Sequence, residues 1–393
     1  MSAELANLLG GILILADLAI RIAALIIIPR DRKPTAAMAW LLAIFLIPFV
    51  GIILYLLIGN IRLPKRRMAR QEDADRMIAE RTRNVDLVAD KGDWPAWFAS
   101  TVEQNTRLTG LPATSGNRAT LIDDYQASID AMAADVAAAT RFVHVEFFIV
   151  AFDETTRGFF TAMEDAVRRG VSVRLLMDHI ASAKVPLHKA TVAELDRIGV
   201  EWHYLLPVRP LKGQWQRPDL RNHRKIVVVD GVVAHTGSQN LIDRSYDSPK
   251  NQKRGLMWQE LVARVTGPVV AELNAVFRSD WYAETGEVLG DAANVPATEI
   301  PRDTSPDALD CQVVPSGPAF ESENNLRQFL TLVNSAQERV IITSPYFVPD
   351  EAMVYAITSA KLRGLDVQLF VSEIGDQGGV WHAQRSYYSA LLR

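Results

Sequence analysis

The sequence predicts an α/β fold, built twice on mixed sheets and preceded by an apolar two-helix anchor. Three observations predict it. Two apolar runs, Leu8 to Ile28 and Met38 to Ile58, open the chain. A strand, helix and strand pattern spans Phe142 to Met177 and recurs from Val340 to Val371. Between the copies lies a cluster of reactive side chains: Asn222-His223-Arg224-Lys225, an apolar run to Asp230, then Gly237-Ser238-Gln239-Asn240.

The 393 residues suffice for two domains with a large core. Charged residues make up 22% and the net charge is −4, so no nucleic-acid partner is expected. The single cysteine, Cys311, excludes an intrachain disulfide and fits a reducing compartment. Mean hydropathy is +0.04, high for a soluble protein. The excess sits in the first sixty or so residues.

Each apolar run is about 20 residues, enough to cross roughly 30 Å of hydrocarbon as a helix. A cleaved leader fits less well, because the N-terminal tail carries Glu4 and a second run follows at once. A buried core helix is the alternative for the second run, and Pro48 and Gly51 are tolerable inside a span. Asp17 and Arg21 are four apart, so they share a helix face and pair locally. Two spans leave both ends on one side. Arg62, Lys65, Arg66, Arg67 and Arg70 outnumber Arg30, Arg32 and Lys33 in the intervening loop. That excess places the large domain on the cytoplasmic side of a multi-pass protein of the cell membrane. The same basic flank suits anionic head groups.

A charged connector, Gln71 to Arg83, precedes an amphipathic stretch, Trp94 to Arg107. Phe142 to Ile149 reads as a strand, Thr156 to Arg169 as a helix stopped by Gly170, and Val171 to Met177 as the return strand. This order implies a right-handed crossover. Val340 to Val348, Glu351 to Leu362 and Leu365 to Val371 repeat it, with Arg363-Gly364 matching Arg169-Gly170. The chain is an internal duplication. Four regions follow: an anchor (1–70), a connector (71–108), a first domain (109–300) and the start of a second (301–393). His223 lies ~53 residues after Gly170. Equal spacing puts its counterpart near position ~417, so the second domain is expected to be incomplete here.

In this order the motifs resemble the phospholipase D superfamily, and more closely the bacterial cardiolipin synthases. The resemblance covers nearly the whole chain. Ala39-Trp40-Leu41-Leu42 through Gly59 is similar to the family's membrane anchor, and Asp178-His179-Ile180-Ala181-Ser182 to its strand-end loop. Trp258-Gln259-Glu260, Thr266-Gly267-Pro268 and Phe277 to Trp281 follow the family's order. Pro315-Ser316-Gly317-Pro318 and Ser344-Pro345-Tyr346-Phe347-Val348-Pro349 match its second half. Two departures stand out. The second His-x-Lys motif does not occur, and Glu260 stands where many relatives carry Asp.

A catalyst of phosphodiester exchange needs a nucleophile, a way to neutralise developing charge, and a proton for the leaving alkoxide. Neutral His223 supplies the first through a phosphohistidine. Lys225, two residues on, shares its strand face and offers a cation. The catalytic group is thus His223, Lys225 and Asp230, with Asp230 structural in character at the following turn. Ser238, Asn240 and Glu260 are expected to bind or support the phosphate. The resemblance makes Glu260 the acceptor that fixes the tautomer of His223. It also implies cardiolipin and glycerol as products of two phosphatidylglycerol molecules, with a second histidine as acid. No metal or cofactor is expected, since no His/Cys/Asp cluster has ligand spacing.

His235 lines the site or packs away from it. His144, His179, His188, His203 and His382 read as core or surface positions. Trp202, Trp215, Trp258 and Trp281 read as packing residues. Arg209, Lys212, Arg217, Arg221 and Arg224 form either a solvated loop or a lure for anionic head groups. Two other functions stay open: a phospholipase D-type hydrolase, and a membrane-bound chain that binds lipid without turnover. A pairing of two His223 copies in a homodimer is a further route to a complete site.

Overall fold

A computed structural model describes residues 3–30, 32–59, 63–82, 94–212, 214, 217–290, 300–318 and 323–392. Arg62, Trp215 and connector residues 83–93 lie outside the described residues, as do the side chains of Lys65 and Lys212. The chain forms two compact units, one of Met1–Leu63 with Trp215–Leu220, the other of the remainder.

In the first unit, helix α1 (Ala3–Ile27) is followed by α2 (Pro34–Leu46), α3 (Pro48–Leu54) and a π-helical turn, Tyr55–Gly59. Among the described residues one helix is long and apolar enough to cross a membrane, Leu8–Ile27 within α1. The expected two-helix hairpin is therefore corrected, and with it the multi-pass location. The cytoplasmic assignment presumed two crossings and falls too. The physical cause is at Ile47-Pro48. Ile47 leaves helical geometry (φ −136°, ψ 75°) and Pro48 starts a new helix. A proline has no N–H to continue the ladder and disfavours helical backbone before it. The 13 residues of α2 reach about 20 Å, short of a bilayer core. The break is sharp. A Cβ on Gly51 would lie 2.8 Å from the Cα of Ile44, seven residues back. In a straight helix that separation is about 10 Å. Asp17 and Arg21 pair locally at 2.8 Å, as their spacing predicts.

The second unit opens with α4 (Lys65–Thr82) and α5 (Ala96–Thr109). A first lobe follows: β1 (Thr114–Ile122), α6 (Tyr125–Ala137), β2 (Phe142–Phe147), α7 (Arg157–Arg168), β3 (Ser172–Asp178), α8 (His179–Ala183), α9 (His188–Ile198) and β4 (Glu201–Leu205). It continues through β5 (Lys225–Val229), β6 (Val233–Gly237), α10 (Pro249–Arg254), β7 (Val262–Thr266), α11 (Val269–Thr285) and β8 (Leu309–Cys311). The eight strands form one sheet in the order β4-β3-β2-β5-β6-β7-β1-β8. β2, β3 and β4 are parallel, and the pairings from β2–β5 onward are antiparallel. Both faces are covered, which explains the continuous apolar runs. Ile129, Met132, Phe159, Phe160 and Met163 pack on Val143, Val145, Val227 and Val229. On the other face, Val269, Leu273 and Val276 of α11 meet Phe142, Ile226 and Val228. Phe277 and Trp281 cover Leu176.

A second lobe contains α12 (Asn324–Ser335), β9 (Arg339–Ser344), α13 (Glu351–Leu362), β10 (Asp366–Val371) and α14 (Gly378–Leu391), with β9 and β10 parallel. Its likeness to the first lobe extends to single hydrogen bonds. Arg169 caps the carbonyls of Ala137 and Ala139 at 2.8 and 3.1 Å. Arg363 caps those of Asn334 and Ala336, both at 3.1 Å. Gly170 and Gly364 both take left-handed backbone, φ 83° and 89°, where a side chain would be strained. Each copy thus uses one arginine to close the preceding helix and one glycine to turn into the return strand.

Candidate active site

The motif runs into β5, and its contacts sort it into two faces, one at Phe148 and one at Asp280. His223 and Lys225 point one way, Asn222 and Arg224 the other. His223 is exposed, whereas Lys225 is 4% exposed. Lys225 Nζ donates to His223 Nδ1 at 2.9 Å and to the His223 carbonyl at 2.7 Å. The Phe148 ring lies 4.5 Å from the imidazole and 5.5 Å from Nζ. Surrounding protein, and then the Lys225 charge, lower the His223 pKa to about 4, so the ring is neutral near pH 7. Burial brings the Lys225 ammonium down to about 7, against the carboxylates of Glu260 and Glu146.

The Gly-Ser motif closes the neighbouring hairpin. A Cβ on Gly237 would meet the Leu261 carbonyl at 2.2 Å, so only glycine allows the close approach. Ser238 then pairs with Leu261 through its own N–H and through Oγ, both at 3.0 Å. This brings Glu260 to Ser238. Burial raises the Glu260 pKa; its bond from Ser238 and the charge of Lys225 pull the other way. The structure thus sets Glu260 beside the Ser238–Leu261 pair and within electrostatic reach of Lys225. The hydrogen-bond partner of His223 Nδ1 is Lys225, where the resemblance placed Glu260.

Two further residues of the expected site make hydrogen bonds within the protein. Asn240 is 2% exposed, and both polar atoms of its amide bond within the protein. Its Oδ1 accepts from Ile149 N at 3.1 Å and its Nδ2 donates to Tyr246 Oη at 2.8 Å. A buried amide satisfies its polar atoms internally. Asn240 therefore holds the end of the β2 strand and the Tyr246 ring. That ring leads to Trp258 at 5.7 Å, and Trp258 to Tyr346 of the second lobe at 6.1 Å.

Asp230 is placed apart from His223 and Lys225. It stands at the far end of β5, about 17 Å of strand from Lys225. Its carboxylate accepts from Thr140 N, Thr140 Oγ1 and Arg141 N at 2.8 Å and from Phe142 N at 2.9 Å. Burial raises its pKa, but these donors outweigh burial and leave it lowered. It anchors the start of β2 against the end of β5. Asp230→Ala is expected to cost about 3 kcal/mol of stability, since four donors lose a charged acceptor. Turnover of the folded fraction should stay within about twofold. Asp230→Asn keeps one acceptor and tolerates the left-handed backbone (φ 54°), so about half the loss should return. Denaturant unfolding measures both.

Spacing in the sequence gave no sign of a second cluster behind the motif. Asn222 Nδ2 donates to Glu146 Oε1 at 2.9 Å and to Asp280 Oδ2 at 3.1 Å. Arg224 pairs with Asp280 and donates to the Ser316 carbonyl at 2.9 Å. The available signal was Glu146 itself, a carboxyl inside an otherwise apolar strand. Two histidines left open are core residues. His144 bonds Asn274 at 2.8 Å and stacks on Phe277 at 4.4 Å; burial lowers its pKa to about 3. His235 is 1% exposed and bonds Asp135 at 2.6 Å.

The family described as "Cardiolipin synthase, PLD-like domain" matches residues 133–281 and 329–393. "Phospholipase_D-nuclease N-terminal" matches residues 19–60. Cardiolipin synthase A of Serratia proteamaculans (strain 568) is 32% identical over 372 residues, spanning 93% of this chain and 75% of that protein. The chain belongs to the cardiolipin synthase family of the phospholipase D superfamily. Cardiolipin synthase A of Yersinia pseudotuberculosis serotype O:1b (strain IP 31758) is likewise 32% identical, over 98% of this chain and 78% of that protein. Phosphatidylserine synthase of Haemophilus influenzae Rd KW20, a solved structure, has TM-score 0.44 and 14% identity over 69% of this chain and 65% of that one. Membership in the cardiolipin synthase family supports phospholipid transferase or hydrolase activity. With the Leu8–Ile27 helix it also supports association with lipid or membrane.

Proposed function

We propose that the chain is a membrane-associated phosphatidyltransferase that makes cardiolipin and glycerol from two phosphatidylglycerol molecules. The observation that carries this is the pairing of a neutral, exposed imidazole with a buried ammonium 2.9 Å away. The imidazole is the nucleophile and the ammonium the charge stabiliser. A ring nitrogen of His223 attacks phosphorus. The bond to the head-group glycerol breaks, and the departing oxygen takes a proton. A hydroxyl of a second phosphatidylglycerol then attacks the phosphohistidine and gives up its proton; the P–N bond breaks and the imidazole returns. One phosphodiester replaces another, so no nucleotide is consumed. By the family pattern a second histidine protonates the glycerol, and the 393 residues hold one His-x-Lys.

An ammonium can only donate, so its bond to Nδ1 leaves the proton of the neutral ring on Nε2. Attack by Nε2 requires the other tautomer. Lys225 must then leave Nδ1, and the phosphate oxygens are the anion that draws it away. Incubation of the protein with phosphatidylglycerol vesicles tests the reading. Cardiolipin with free glycerol supports transfer. Phosphatidic acid with glycerol supports hydrolysis instead, and no conversion refutes both.

A further inference from the structure

We propose that Glu146 and Asp280 are positioning residues that clamp the backbone on both sides of His223 and tie it to the segment entering the second lobe. Asn222 and Arg224 flank His223 and point away from the imidazole. Asn222 Oδ1 accepts from Arg224 N at 3.0 Å, a bridge that spans His223 itself. The Asn222 amide is then divided between Glu146 on β2, at 2.9 Å, and Asp280 on α11, at 3.1 Å. Arg224 joins Asp280 and reaches the carbonyl of Ser316 at 2.9 Å. Asn222 is thereby fixed to the sheet and to α11, and Arg224 to α11 and to the segment at Ser316.

Charge and burial give the pair its chemistry. Glu146 is fully buried and Asp280 is 7% exposed. Two carboxyls facing one guanidinium are neutral only when one keeps its proton. Glu146 is the protonated member. Its Oε2 has no donor among the described residues, and it lies within hydrogen-bond reach of Asp280. Burial, and then the Asp280 charge, push its pKa well above the usual range. A protonated Glu146 donates to Asp280, the carboxyl that pairs with Arg224. Lys225, on the opposite face, lies within electrostatic reach of both Glu146 and Glu260.

The kinetic part of this inference rests on His223 being the nucleophile; the conformational part does not. Hydrogen exchange over residues 222–226 reads the conformational part in the full chain. Asp280→Asn is expected to speed exchange there at least about tenfold while β6 keeps its protection. In phosphatidylglycerol transfer it is expected to lower kcat at least about tenfold with KM within about threefold. Glu146→Ala should do the same, and Glu146→Gln, which also donates from a neutral group, should restore most of both. Faster exchange spread evenly over the sheet would mean a merely structural role and overturn the inference. So would unchanged exchange in Asp280→Asn, or a Gln variant as damaged as Ala. Inactive wild-type protein with the expected local exchange would count against the proposed reaction and leave the clamp standing.

Discussion

Replacing His223 by alanine is expected to abolish phosphatidyl transfer, with a fall of at least about a thousandfold in kcat. A nucleophile cannot be replaced by neighbouring charge, because the covalent intermediate has no other atom to form on. The size of the loss separates this role from simple binding, which would raise KM and leave kcat. Folding should be modestly affected. Lys225 loses the ring acceptor and keeps the His223 carbonyl, a cost of about 1 kcal/mol. A slightly lowered thermal midpoint with lost turnover is therefore the expected pair of results. Wild-type turnover in His223→Ala would remove the imidazole from the reaction.

Lys225→Met is expected to raise the barrier by about 3 kcal/mol, on the order of a hundredfold in kcat/KM. Methionine fills the buried stem and removes the ammonium that meets the phosphoryl oxygens. The two titrations also set the pH dependence. His223 is neutral above about 4, so its active form is lost as pH falls through that value. Lys225 is charged below about 7, so its active form is lost as pH rises through that value. The kcat/KM profile, which reports the free enzyme, should be bell-shaped between these limits. Lys225→Arg should move the alkaline limb upward, because a guanidinium stays charged there. An alkaline limb that the Arg variant leaves in place would show that another group controls it.

Much of this was legible in the residues. Arg169-Gly170 and Arg363-Gly364 exposed the duplication because a helix stop and a return strand need that chemistry at that place. His223 and Lys225 could be set on one face because strand alternation is strict. Other features depend on contacts that spacing does not carry. Pro48 breaks the second apolar run, and hydropathy alone does not register a backbone turn that presses Gly51 on Ile44. Asn240 looked like a donor for substrate, yet burial turns both its polar atoms inward. Glu260 sits in the family's order, and the close approach at Gly237 sets it next to the Ser238–Leu261 pair. Asp230 belongs to the motif by sequence and to the strand end by geometry. Glu146 and Asp280 are more than a hundred residues apart and meet only across the sheet and α11.

The most direct measurement is to react the protein with phosphatidylglycerol labelled at phosphorus, quench in alkali, where phosphohistidine survives, and map the labelled peptide. The label is predicted on the imidazole of His223, and to discharge into cardiolipin on adding unlabelled lipid. Label on any other residue, or turnover with no covalent label at all, would contradict it.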